Sequence, residues 1–183
     1  MMLTYAEVRR MFGGFYEERE LSLQEAVALE KEFASPEGFR EAYGDVWELA
    51  RGKSLAIPTN GSLRKDGSAV MGRGVALQAA KLFPGLPRRL GVYLQKYGNR
   101  CFYLGKWGDY AIASFPTKHS WKEKADLELI KVSAVQLVKI ADKFDLSEVY
   151  LPRPGCGEGG LAWEAVEPVL RTVLDGRFVI CER

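Results

Sequence analysis

One stretch of the chain carries its apolar residues at clear helical spacing. Ile130, Ala134, Leu137, Val138, Ala141 and Phe144 share one face, which predicts a helix over 125–144. Shorter amphipathic stretches predict helices at 75–83, stopped by Pro84, and at 86–97. Another falls at 163–174, with Trp163, Val166, Val169, Leu170 and Val173 as its stripe and Gly176 just past its end. Between these lie short apolar runs, which predict strands at 54–58, 148–151 and 178–181. The runs 101–104 and 110–115 flank Lys106-Trp-Gly-Asp109 and predict a hairpin. The first 43 residues have another texture. The capping box Ser22-x-x-Glu25 precedes Leu23, Ala26, Val27, Phe33 and Ala34 at helical spacing, and Ser35-Pro36 opens a further short helix. No strand is expected there. The pattern thus predicts a helical extension over 1–43, followed over 44–183 by a layered α/β domain with a mostly parallel sheet flanked by helices.

In such sheets ligands bind beyond the carboxyl ends of the strands. Asn60, Lys118 and Gly155 each follow a predicted strand and can converge there. Two glycine-rich segments sharpen the expectation. Leu151-Pro-Arg-Pro-Gly-Cys-Gly-Glu-Gly-Gly-Leu-Ala-Trp163 holds four glycines within six residues and leads from strand to helix. Met71-Gly72-Arg73-Gly74-Val75 also runs into a helix. Glycine lets a ligand approach backbone N–H groups closely, and a helix start favours phosphate, so two such loops suit the two phosphates of a diphosphate. Taken singly, each loop is equally a plain tight turn. Neither matches the G-x-G-x-x-G dinucleotide fingerprint or a G-x-x-x-x-G-K-[ST] phosphate loop.

Composition narrows the classes. At 183 residues and 47% hydrophobic content the chain holds one domain with a real core. No apolar run is long enough to span a bilayer, so no membrane partner is expected. The charged start of the chain is unlike a signal peptide. Three widely spaced cysteines, Cys101, Cys156 and Cys181, argue for a reducing cytoplasm. A net charge of +2 does not mark a nucleic-acid protein by itself, and Arg64, Lys65, Arg73, Lys122 and Lys124 are interleaved with Asp66, Glu123 and Asp126. One histidine and no Cys/His cluster imply no metal, and no cofactor is expected.

On these residues the chain resembles a macrodomain, the ADP-ribose-binding fold, over roughly Tyr43 to its C-terminus. Gly44-Asp45-Val46 is similar to the Gly-Asp-Ile that opens many macrodomains, and Thr59-Asn60-Gly61 to the Asn-bearing strand end. The two glycine segments are similar to the family's two phosphate loops. Ser114-Phe-Pro-Thr-Lys118-His119-Ser-Trp121 and the Gly-Cys-Gly-x-Gly-Gly-Leu-x-Trp string resemble the DarG antitoxin macrodomain and the terminal ADP-ribose protein glycohydrolase, the second string more the former. The resemblance implies an ADP-ribose ligand held by Asp45, Asn60, Met71, Gly72, Arg73, Gly74, Val75, Thr117, Gly155, Cys156, Gly157, Gly159 and Gly160. It implies Lys118 as the catalytic lysine. Glu158 is a second catalytic candidate, although it stands one position before the site where the protein glycohydrolase has its acidic residue. The expected activity is removal of ADP-ribose from modified DNA or protein. Dephosphorylation of ADP-ribose 1″-phosphate and non-catalytic reading of ADP-ribose are the alternatives. The likeness names no toxin partner.

Two departures stand out: helices in place of the strand that usually precedes Gly-Asp-Ile, and an insertion, Ser62–Ala69, ahead of the first glycine loop. The residues also have plainer roles open to them. Asp45 can cap a helix, and Asn60 can satisfy its own turn. Glu158 can favour a helix start or orient water or Lys118. Lys118 and His119 can be solvated surface residues. Trp121 and Trp163 can be packing residues, with Trp121 also able to stack on a substrate base. Cys156 is small enough for its loop and lacks a nucleophile's partner.

Overall fold

The computed structural model describes residues 38–183, so the expected capping box at Ser22 and helix at Ser35-Pro36 lie outside the described residues. The elements in order are β1 (Arg40–Tyr43), α1 (Val46–Leu49), β2 (Ser54–Asn60), α2 (Gly74–Leu82), α3 (Leu86–Tyr97), β3 (Tyr103–Trp107), β4 (Tyr110–Lys118), α4 (Leu127–Lys143), β5 (Val149–Pro152), α5 (Trp163–Arg171) and β6 (Phe178–Glu182). They form one six-stranded sheet in the order β1-β6-β5-β2-β4-β3, parallel except where β3 pairs with β4.

One expectation is corrected. Residues 40–43 form a strand, where the sequence pattern predicts helix. Only four residues long and mostly exposed, it has no two-residue apolar alternation to read. It exists because β6 offers a parallel edge, with Arg40 opposite Val179 and Tyr43 opposite Glu182. A strand therefore does precede Gly44-Asp45-Val46, and that departure from the macrodomain pattern disappears.

The strands are apolar on both sides, as a sheet covered on both faces requires. Leu55, Ile57, Ile112, Tyr150 and Val179 pack on one face with residues of α1, α2 and α3. Ala56, Ala113, Phe115, Val149, Leu151, Phe178 and Ile180 pack on the other with α4 and α5. The alternation along each strand is the two-residue period of a pleat. Phe102, Phe115 and Phe178 are fully buried, each stabilising the fold by roughly 1.5–3 kcal/mol. α4 starts at Asp126, whose carboxylate accepts from the Glu128 and Leu129 N–H groups.

A polar cluster ties β2 to β5 at their amino ends. The Glu148 carboxylate accepts from the Tyr150 hydroxyl at 2.6 Å and pairs with Lys53 at 2.9 Å and Arg40 at 3.3 Å. These donors, Tyr150 first, hold the Glu148 carboxyl down at about 2, against an ordinary 4.5. A carboxyl depressed by folding stabilises the native state above its ordinary value and loses that contribution as pH falls through its folded value. Glu148→Gln should therefore lower Tm at neutral pH. The deficit should narrow as pH is taken from about 5 toward about 2. Calorimetry across that range checks it, and a deficit independent of pH refutes it.

Candidate functional site

The carboxyl ends of β2, β4 and β5 open into a cavity of about 820 Å³, where the α/β topology places a ligand. Its lining includes Pro58, Thr59 and Asn60 from β2, Thr117 and Lys118 from β4, and Pro152 with Arg153 from the end of β5. The register of β2 against β4 slips here: Thr59 faces Pro116, while Asn60 faces Lys118. Thr117 is the extra residue, and such a bulge re-aims the strand end. It brings Lys118 beside Asn60. Asn99 fixes the backbone there by donating its side-chain amide to the Lys118 carbonyl at 2.9 Å. Gly61 permits the close approach, since a Cβ on it would lie 2.7 Å from the His119 carbonyl oxygen.

Both glycine loops reach the cavity, and two pairs of their glycines stand in contrast. Gly155 and Gly159 are buried and required by packing. Gly155 has φ +76°, and a Cβ on it would sit 2.8 Å from Ile130 Cδ1; one on Gly159 would sit 2.5 Å from the Gly155 carbonyl oxygen and 2.7 Å from Ala125 Cβ. Gly72 and Gly157 are exposed, and a Cβ on either would meet no protein atom within 4 Å. Nothing in the fold asks for glycine at these two positions, yet both line the cavity. Beside Gly72 begins α2, whose N-cap residue Arg73 makes no side-chain cap and whose first turn holds no acid. Its first N–H groups lack a capping side chain and form a positive helix end suited to an anion.

Charge spans the cleft between these loops. The Lys118 Nζ donates to the Glu158 carbonyl at 3.1 Å. The Glu158 carboxylate pairs with Arg73 at 2.8 Å, joining the second loop to the first. That pair is largely exposed, so its contribution to stability is small. His119 turns away to Asp126, its Nε2 lying 2.7 Å from the carboxylate; this contact, foremost, holds the Asp126 carboxyl below its ordinary range.

Of the residues expected at the site, the cavity gathers Asn60, Gly72, Arg73, Gly74, Val75, Thr117, Lys118, Gly155, Gly157, Glu158 and Gly159. Four fall outside its lining. Met71 is buried in the core and Cys156 packs on the opposite cluster. Gly160, with φ +74°, shapes the loop. Asp45 caps α1, its Oδ1 accepting from the Trp47 N–H at 2.8 Å. The Asn60 side chain serves its own turn, accepting from the Ser62 N–H at 2.9 Å and donating to the Val70 carbonyl at 3.0 Å. Trp163 packs, with Phe39 and beneath the Arg153 guanidinium. Leu63, Val70 and Arg153 line the cavity without a motif to mark them. The sequence signal that bears on Leu63 is the insertion itself, which has to fold somewhere near the strand end it interrupts.

No protein-family model matches the chain. The macrodomain of Mycobacterium tuberculosis DarG superposes with a TM-score of 0.65 at 24% identity, over 80% of this chain and 99% of that one. The chain folds as a macrodomain. A Thermosipho africanus DarTG structure in complex with ADP-ribose matches this fold with a TM-score of 0.63 at 22% identity, over 78% of the chain and 41% of DarTG. In sequence, the chain is 30% identical over 111 residues to the DNA ADP-ribosyl glycohydrolase of Mycobacterium tuberculosis, covering 54% of this chain and 30% of the relative. The chain thus spans about a third of the length of that curated relative. No helix among the described residues is long and apolar enough to cross a membrane.

Proposed function

We propose that the cleft binds ADP-ribose and that the protein hydrolyses the bond joining ADP-ribose to a modified target, with DNA as the target class. The observation that carries this reading is the pair Gly72 and Gly157. Both are bare of any packing reason and both face the cavity that holds Lys118. Backbone N–H groups of the two loops and the uncapped start of α2 hold the diphosphate. The distal ribose then lies toward Asn60 and Lys118. The Lys118 ammonium supports departure of the leaving group, as a cation or by giving it a proton. Glu158 positions Lys118 through its carbonyl and spans the loops through Arg73. The DNA target is supported by the name of the Mycobacterium tuberculosis relative, and the ligand by the ADP-ribose in the DarTG structure. We place the protein in a reducing cytoplasm, in keeping with its three free thiols.

The test is turnover of ADP-ribosylated DNA, ADP-ribosyl-glutamate protein and ADP-ribose 1″-phosphate side by side. Release of free ADP-ribose from the DNA is the expected result. Release of phosphate alone makes the protein a phosphatase, and tight ADP-ribose binding without turnover makes it a reader. Either outcome overturns the proposed cleavage of ADP-ribose from its target.

A further inference from the structure

The insertion that interrupts the path from Asn60 to the first glycine loop is a built element. Leu63 bridges Ala69 in antiparallel pairing, the Arg64 N–H donates to the Ser68 carbonyl at 2.7 Å, and Asp66 closes the turn through the Ser68 N–H and hydroxyl. The tip rests on α3. Gly91 lacks the side chain that would strike Gly67 and Ser68, and Gln95 donates to the Gly67 carbonyl at 3.1 Å. A second loop is stitched to the base of this hairpin: the Trp121 N–H donates to the Ser62 hydroxyl at 3.1 Å.

Together the two loops present an unusual surface to the cavity. Trp121 is 55% exposed and Leu63 is 40% exposed, and both line the cavity with Lys118, Arg64 and Lys65. Large apolar groups left in water in the lining of one cavity mark a binding surface. The charges that alternate along the sequence do not all reach the cavity. Arg64 and Lys65 line the cavity, whereas Asp66 does not and is engaged by Ser68. Asp126 is likewise held at the start of α4 by His119 and the helix N–H groups.

We infer that Trp121 and the 62–69 hairpin form a second subsite, which takes the leaving group of the ADP-ribosylated substrate. The subsite accepts a planar nucleobase stacked on Trp121 and Leu63, with the adjoining phosphates of a single strand on Arg64 and Lys65. An indole beside cations is the means by which proteins hold single-stranded nucleic acid, the ring taking the base and the cations the backbone. The acyl ester that joins ADP-ribose to a modified glutamate offers no aromatic ring to stack on that indole. This inference rests on ADP-ribose occupying the glycine-lined part of the cleft.

The test compares two probes on the parent protein: free ADP-ribose, and a short single-stranded oligonucleotide carrying ADP-ribose on one base through a non-hydrolysable carbocyclic linkage. The oligonucleotide should bind about 5- to 150-fold more tightly, the range that one base stack on an aromatic ring supplies. Trp121→Ala should remove most of that gain and leave the affinity for free ADP-ribose within about twofold, while Trp121→Phe should keep most of it. Arg64→Ala with Lys65→Ala should flatten the salt dependence of oligonucleotide binding and not that of ADP-ribose. Equal affinity of the parent for both probes overturns the subsite alone, as does a gain that survives Trp121→Ala. An ADP-ribosyl-glutamate peptide showing the same Trp121-dependent gain overturns the nucleobase assignment. A parent that binds no ADP-ribose overturns the reading of the cleft and this inference with it.

Discussion

Lys118→Ala is expected to lower kcat on ADP-ribosylated DNA by about two to four orders of magnitude, the range for a positioned acid–base group. ADP-ribose affinity should change by less than about fivefold, because an interaction made mainly in the transition state lowers kcat and spares ground-state binding. The geometry motivates the expectation. The β4 bulge sets Lys118 opposite Asn60, and its ammonium bridges to the loop that carries Gly157. Lys118→Arg separates the roles, since a guanidinium keeps the charge but does not give up its proton. Activity restored by Arg identifies electrostatic support of the departing group. Arg as inactive as Ala identifies proton transfer or a covalent role. Single-turnover kinetics with a calorimetric measure of binding decide the matter, and parental turnover by Lys118→Ala removes the lysine from the mechanism.

Gly157→Val and Gly72→Glu should each weaken ADP-ribose binding by about 100-fold or more, equivalent to the loss of one or two charge-assisted hydrogen bonds to phosphate. Each side chain enters space that is empty of protein atoms, and the glutamate adds repulsion against the diphosphate. For the same reason both variants should melt within about 2 °C of the parent, well under the shift of a typical core substitution. Gly159→Ala provides the contrast. Its new methyl would press on the Gly155 carbonyl and on Ala125, costing about 1–3 kcal/mol and lowering Tm by about 3–10 °C. Calorimetric titration and melting on the three variants read both effects. If Gly157→Val and Gly72→Glu fold and bind like the parent, the loops do not hold phosphate.

Most of the fold was legible because its signals are local. Helix α4 shows its buried stripe in the spacing of Ile130, Ala134, Leu137 and Val138, and the parallel sheet follows from strands separated by helices. Strand β1 was not legible, since its four residues are held by pairing with β6, more than 130 positions away. The lysine and the glycine loops were visible as residue types after strands. Leu63 and Arg153 were not, because no local pattern distinguishes a residue at a cavity from one on any other surface.

The sequence by itself determined the α/β order and the two glycine-rich helix entries, since these depend on residue chemistry and short-range spacing; Lys118 was singled out by the resemblance its motif carries. Only the tertiary structure decided which cavity-lining glycines packing requires and which it does not, because that depends on what a Cβ would meet. Ala125 and Ile130 come from another element to crowd Gly155, whereas nothing approaches Gly72 or Gly157. The same holds for charge. Along the chain Asp66 offsets one of the two cations, Arg64 and Lys65. In the folded hairpin Arg64 and Lys65 line the cavity and Asp66 does not, because the turn folds back so that Ser68 engages the Asp66 carboxylate.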